Sequence, residues 1–187
     1  MQKNLVKVNI NHFVVWVVIA AVIVVLTPIA EAQQYTADRR TDKFFFGAAL
    51  GLQTDTPDST AYAIGLYGDY YLTRGLSIGP LLQMGFTDDL MQLGLTAQAK
   101  YTFDLANILQ LKPHVQAGLG FIYADLDLGN GRSEDDTSFL IPFGIGAEYK
   151  LTDSISLDGT VLFNITDLDV GSEDFFMTWL IGLKFAF

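Results

Sequence analysis

Large apolar residues take every second position in the last thirteen residues of the chain, FFMTWLIGLKFAF. Phe175, Met177, Trp179, Ile181, Leu183, Phe185 and Phe187 fall on one side of an extended segment, with Thr178, Gly182, Lys184 and Ala186 between them. A period of two is that of a strand with one apolar face. The same alternation recurs upstream and predicts eight strands, over residues 43–53, 60–73, 75–86, 91–103, 111–124, 137–151, 154–165 and 175–187. Thr73-Arg74-Gly75 and Leu151-Thr152-Asp153-Ser154 carry turn chemistry between them. Half of the residues are hydrophobic. Beyond Leu26, however, that apolarity comes as alternation and never as a run long enough for a spanning helix.

Residue size says which face points where. One face carries Phe46, Leu50, Ile64, Leu82, Leu95, Leu119, Phe121, Phe143, Ile145, Val161 and Phe163; the other carries Gly47, Gly51, Gly79, Gly94, Gly118, Gly120, Gly144, Gly146 and Gly182. Eight strands closed on themselves leave an interior barely wide enough for side chains. The small, polar face therefore points inward and the large apolar face outward, against lipid. Aromatic residues near the strand ends, among them Phe44, Tyr62, Tyr70, Phe86, Tyr101, Tyr123, Tyr149, Phe175 and Phe187, fit two interfacial girdles. The expected fold is all-β: an eight-stranded antiparallel up-and-down transmembrane β-barrel over residues 43–187. An even strand count puts both chain ends on one side.

The N-terminus reads differently. Lys3 and Lys7 precede an unbroken apolar stretch, 13–26, and Ala30-Glu31-Ala32 fits a small-residue cleavage site. Residues 1–32 are expected to be a cleaved signal peptide, and residues 33–42 a polar lead into the barrel. The chain has no cysteine, so an exported protein of this kind depends on a closed hydrogen-bonded ladder instead of disulfides.

The strand pattern, the stretches GLYGDYYLTRGLSIG and GIGAEYKLTDSISLDG, and the terminal Phe187 resemble the small OmpA-type and opacity-type eight-stranded outer-membrane barrels. The resemblance covers residues 43–187. It implies an integral protein of a Gram-negative outer membrane with periplasmic termini, in contact with outer-membrane lipids and lipopolysaccharide. It also implies that Phe185 and Phe187 form the insertion signal read by the barrel-assembly machinery. It brings no cofactor and leaves open a partner within an envelope complex.

Charge adds two candidate sites. The 11 basic and 21 acidic residues give a net charge of −10, which excludes ordinary nucleic-acid binding. Acids concentrate in the expected outer connections, at Asp125, Asp127, Glu134, Asp135, Asp136, Asp167 and Asp169 among others, with Arg132 the lone base there. This rim reads as a solvated surface. The alternative is a cation-binding rim that bridges to anionic lipopolysaccharide through Mg²⁺ or Ca²⁺. The spacing from Asp125 is not that of an EF-hand, because Gly129 stands at the third ligand position, and no defined metal site is assigned.

The second site is inside. Asp69, Glu148 and Asp158 fall on the inward face with Lys100, Lys112, Lys150 and Lys184. Charges confined to a narrow lumen should pair, either as a fixed plug or as a gate that opens when partners exchange. His114, at the start of the fifth strand, is expected to be a lumen-wall residue far from any lipid chemistry at the outer rim, so no catalytic residue is assigned. The function expected is a non-enzymatic structural, envelope-integrity role. The alternatives are a narrow gated channel or ligand-binding barrel, a lipid A-modifying enzyme, and a surface partner-binding subunit.

Overall fold

The computed structural model describes residues 44–56, 59–104, 110–129, 132–152, 154–169 and 174–187. The expected signal peptide and the polar lead lie outside the described residues. Eight strands follow in order: β1 (Phe44–Thr56), β2 (Ser59–Tyr71), β3 (Leu76–Phe86), β4 (Leu90–Thr102), β5 (Leu111–Gly129), β6 (Arg132–Lys150), β7 (Ile155–Ile165) and β8 (Phe175–Ala186). Each pairs antiparallel with its neighbour, and β8 returns to β1 to close the barrel. The closing seam runs from Phe45↔Ala186 to Thr54↔Met177, and the Phe187 N–H donates to the Phe44 carbonyl at 2.9 Å.

The alternation places the large residues as expected. Leu50, Tyr62, Leu95, Leu119, Phe121, Ile145, Trp179 and Ile181 are all exposed on the outer wall. A surface this apolar has no place in water but matches hydrocarbon. The aromatic residues at the strand ends face the same way, including Phe44, Tyr70, Phe86, Tyr149 and Phe175.

Two strands are longer than the hydrophobic pattern predicts. β5 and β6 each run 19 residues and carry the acidic stretch as a projecting hairpin, with Asp125 opposite Asp135 and Leu126 opposite Glu134. The connection expected between the strands ending at 124 and beginning at 137 is therefore mostly ladder. Asp125 and Asp127 take positions that are apolar lower on the same face of β5, and backbone pairing continues where that apolar face has ended.

Besides register shifts near the ends of β1 and β5, ladders lapse at two prolines. Pro80 stands opposite Gly68, between the pairs Tyr67↔Leu81 and Tyr70↔Ile78. Pro142 stands opposite Gly118, between Ala117↔Phe143 and Gly120↔Leu140. Proline has no N–H to give to the ladder. The remaining seams still close the sheet, and a closed ladder resists detergent because no strand has a free edge. Unboiled protein should therefore migrate differently from boiled protein on a detergent gel. Identical migration would contradict closure.

Candidate functional site

The inward positions of β8, read from the end that carries both termini, are Lys184, Gly182, Leu180, Thr178 and Phe176. Those of β7 are Asp158, Thr160, Leu162 and Asn164. Every one of these except Gly182 is buried. Charge, apolar, and amide or hydroxyl succeed one another along both strands, Phe176 of β8 adds a further apolar level, and the lumen is built in these four layers.

The first layer is an ion-pair network. Asp69 Oδ2 (β2) lies 3.1 Å from Lys100 Nζ (β4) and 3.0 Å from Lys184 Nζ (β8). Lys184 Nζ also reaches Glu148 Oε2 (β6) at 3.0 Å and donates to the Tyr71 hydroxyl at 3.0 Å. Asp158 Oδ2 (β7) stands 4.0 Å from Lys100, and Asp158 Oδ1 accepts from Thr160 Oγ1 at 2.8 Å. Thr160 Oγ1 in turn lies 3.0 Å from His114 Nε2. Aromatic faces complete the shell: Lys100 sits 4.7 Å from the Tyr67 ring centroid, and Lys184 sits 4.8 Å from that of Phe45. Five strands thus supply three carboxylates and two ammonium groups to one buried cluster.

Five of the seven charges expected in the lumen are brought together here: Asp69, Lys100, Glu148, Asp158 and Lys184. Lys112 is not. It occupies the second rung of β5, opposite Glu148, and pairs instead with the exposed Asp104 at 3.3 Å. Lys150 ends β6, partly exposed, with its N–H donating to the Gln110 carbonyl at 2.8 Å. His114 lines the lumen wall, buried beside Gly146, whose missing side chain leaves the space the imidazole fills.

The second layer was not legible as such in the sequence. Ala49, Ala63, Tyr67, Leu81, Leu162 and Leu180 form a buried apolar cluster across the lumen. The polar, glycine-rich inward face expected from the sequence is therefore only part of the interior. Glycines make the room: Gly47 lies under the Tyr67 ring, and Gly65 lies against Leu180. Between this layer and the charges is a cavity with about 10 Å³ open to a water's centre, lined by Tyr67, Gln98, Lys100, Gln116 and Asp158 among others. The Tyr67 hydroxyl, Gln116 Oε1 and Asp158 Oδ2 are buried without a protein hydrogen bond. A cavity of this size, about one water's worth, beside such groups is suited to internal hydration.

The third layer is amide and hydroxyl. Gln83 Nε2 donates to Asn164 Oδ1 at 3.2 Å, and Asn164 Nδ2 donates to Thr178 Oγ1 at 3.0 Å. The fourth layer closes the far end. Ile122, Ala124, Leu140 and Phe176 pack with Leu168, which turns in from the segment after β7. Two bonds hold that segment down: Thr166 Oγ1 donates to the Phe139 carbonyl at 2.8 Å, and the Asp169 N–H donates to Asp136 Oδ2 at 2.9 Å.

Among the described residues no group of three or more potential ligands is placed to hold an ion. Asp125 and Asp135 oppose each other on the hairpin, while Asp136 is committed to the N–H groups of Thr137 and Asp169. Asp127, Glu134, Asp167 and Asp169 are exposed. At the other end Phe187 is 78% exposed and Phe185 is paired with Phe46 and Ile155.

A closed eight-stranded antiparallel barrel, greasy outside and filled within, defines a class of membrane protein that crosses the bilayer with strands. The model of the outer membrane protein beta-barrel domain family matches residues 19–187, and the chain belongs to that family. It is an integral outer-membrane protein. Among solved structures it is similar to Neisserial surface protein A, at 18% identity and a TM-score of 0.60 over 78% of this chain and 96% of that one. It is also similar to the N-terminal barrel of Pseudomonas aeruginosa OprF, at 16% identity and 0.58 over 77% and 97%. Ail, the attachment invasion locus protein of Yersinia pestis, solved with a heparin analogue, matches at 14% and 0.56 over 78% and 99%. Identities this low establish the shared fold and nothing finer. No curated protein sequence matches the chain.

Proposed function

We propose that this is a non-enzymatic structural protein of the outer membrane, with both termini in the periplasm and a lumen packed shut. One observation carries the reading: two apolar clusters cross the lumen at different depths, one around Leu81, Leu162 and Leu180 and one around Leu140, Leu168 and Phe176. Ions do not pass apolar side chains packed in contact, because nothing there replaces their hydration. The acidic hairpin is read as a solvated outer surface, and Phe185 and Phe187 as the signal to the barrel-assembly machinery. His114 sits in the wall of the sealed interior, bonded to Thr160, out of reach of any lipid substrate.

The test is conductance in planar bilayers. Purified protein should give no single-channel events, and cells without it should become more sensitive to detergent. Regular openings of the unmodified protein would overturn the reading in favour of a narrow gated channel. That second reading draws support from the cavity beside the ion pairs, which only the Leu81–Leu162–Leu180 layer separates from the amide layer above.

A further inference from the structure

A groove of about 710 Å³ lies on the lipid-facing wall where β6, β7, β8 and β1 meet. Leu50, Ile145, Val161, Trp179 and Ile181 form its sides. Its floor is Gly159, paired with Ala147 on β6 and with Ile181 on β8. A glycine inside a strand carries an entropic cost and gives up side-chain contacts, so it ordinarily has a local reason. Every other glycine with described surroundings has one: a side chain there would meet a neighbouring atom of this chain within 4 Å. At Gly159 a side chain would meet nothing. The space is open to whatever surrounds the barrel.

We propose that the Gly159 groove seats one acyl chain of a phospholipid from the periplasmic leaflet. The groove is continuous with the exposed apolar belt that contacts lipid, including Leu50, Ile145, Trp179 and Ile181. A dry recess in hydrocarbon gains dispersion contacts only when hydrocarbon fills it.

Depth selects the leaflet. Tyr149 marks the boundary on the side of the termini, its hydroxyl donating to Gln110 Oε1 at 2.6 Å. Ala147 is two residues along β6 from it, about 7 Å. From Phe175, at the opposite girdle, Trp179 is four residues away, about 13 Å. Toward that far side the wall also rises, through Val161 and the stacked Phe163–Phe175 pair with centroids 6.5 Å apart. On the side of the termini the next outward row is Ala48, Leu183, Leu157 and Tyr149, while the small Ala147 lies beside Gly159 in its own row. Trp179, in the next row on the far side of the seat, stands where a chain in the groove would touch it. The leaflet follows from the orientation proposed above; the groove itself does not depend on whether the lumen conducts.

Trp179 and Trp16 are the only tryptophans, so a Trp16→Phe protein reports from the groove alone. It should be reconstituted in vesicles containing phosphatidylcholine brominated near mid-chain. Quenching of Trp179 should reach half its maximum at a mole fraction of brominated lipid at least twofold lower than in Gly159→Leu, where the new side chain fills the seat. Gly159→Ala should give an intermediate value, and it serves as the test if the leucine variant fails to show heat-modifiable migration. Native mass spectrometry of protein released from outer membranes should find a retained phospholipid that Gly159→Leu loses. Equal quenching in all three proteins overturns the proposal. So does a dimer in which Trp179 is protected from brominated lipid, and so does retention of lipid A in place of phospholipid. Protease access to the β5–β6 hairpin on whole cells reads the orientation separately, so an inverted barrel and an empty groove give different results.

Discussion

Lys184→Ala should destabilise the folded barrel by about 3–5 kcal/mol, the usual cost of leaving a buried charge without its partner. The side chain is fully enclosed and holds Asp69 and Glu148, each at 3.0 Å. The two carboxylates do not lose equally. Asp69 keeps Lys100 at 3.1 Å, whereas Lys184 is the lysine bonded to Glu148 in the buried cluster. Adding Glu148→Gln to Lys184→Ala should therefore restore most of the loss, and adding Asp69→Asn should restore less, because it leaves Lys100 with the more distant Asp158, at 4.0 Å. The measurement is a double-mutant cycle on the temperature at which the heat-modifiable band converts in detergent. If both second substitutions prove strictly additive, the charges are independently hydrated and the cluster is not a network.

How far such a site can be read from sequence depends on what imposes the pattern. Lipid imposes a period of two on the outer wall, so Leu50, Leu95, Leu119 and Ile145 declare their direction, and by parity so do the charges between them. Parity brings Asp69, Lys100, Glu148, Asp158 and Lys184 to the lumen but does not choose partners. That choice comes from strand tilt and register, which place Lys184 against Glu148 two strands away. It also misplaces Lys112, which stands opposite Glu148 but pairs with the nearby Asp104.

The inward apolar layers are hidden for a different reason. Leu81 precedes Leu82, Leu162 precedes Phe163, and Leu180 stands between Trp179 and Ile181. Where both faces are apolar the alternation is silent about the inner one. Leu168 belongs to no strand at all and reaches the lumen only because the segment after β7 is bonded down at Thr166 and Asp169. Asp125 to Asp136 extend the ladder where acidic residues replace the large apolar ones on the outward face, which hides a strand as effectively as a doubly apolar stretch hides a lumen contact.

The last expected result sets two adjacent residues against each other. Leu119 is 64% exposed on the outer wall near the middle of β5. Leu119→Arg puts a charge in hydrocarbon and should cost about 2–4 kcal/mol near the bilayer midplane, less if the side chain snorkels. Gly120 faces inward, and a side chain there would run into the Leu95 carbonyl and the Thr96 backbone of β4. Backbone atoms of a paired strand cannot step aside as a flexible side chain can, so Gly120→Val must prise β4 from β5. Loss of the closed barrel is expected, with boiled and unboiled protein running alike. The two defects also respond differently to solvent. The arginine variant should recover stability in a thinner bilayer, where the charge is nearer water, while the valine variant should not, because its conflict lies within the sheet. Recovery of Gly120→Val in a thin bilayer, or a neutral Leu119→Arg, would mean that the inner and outer faces have been assigned the wrong way round.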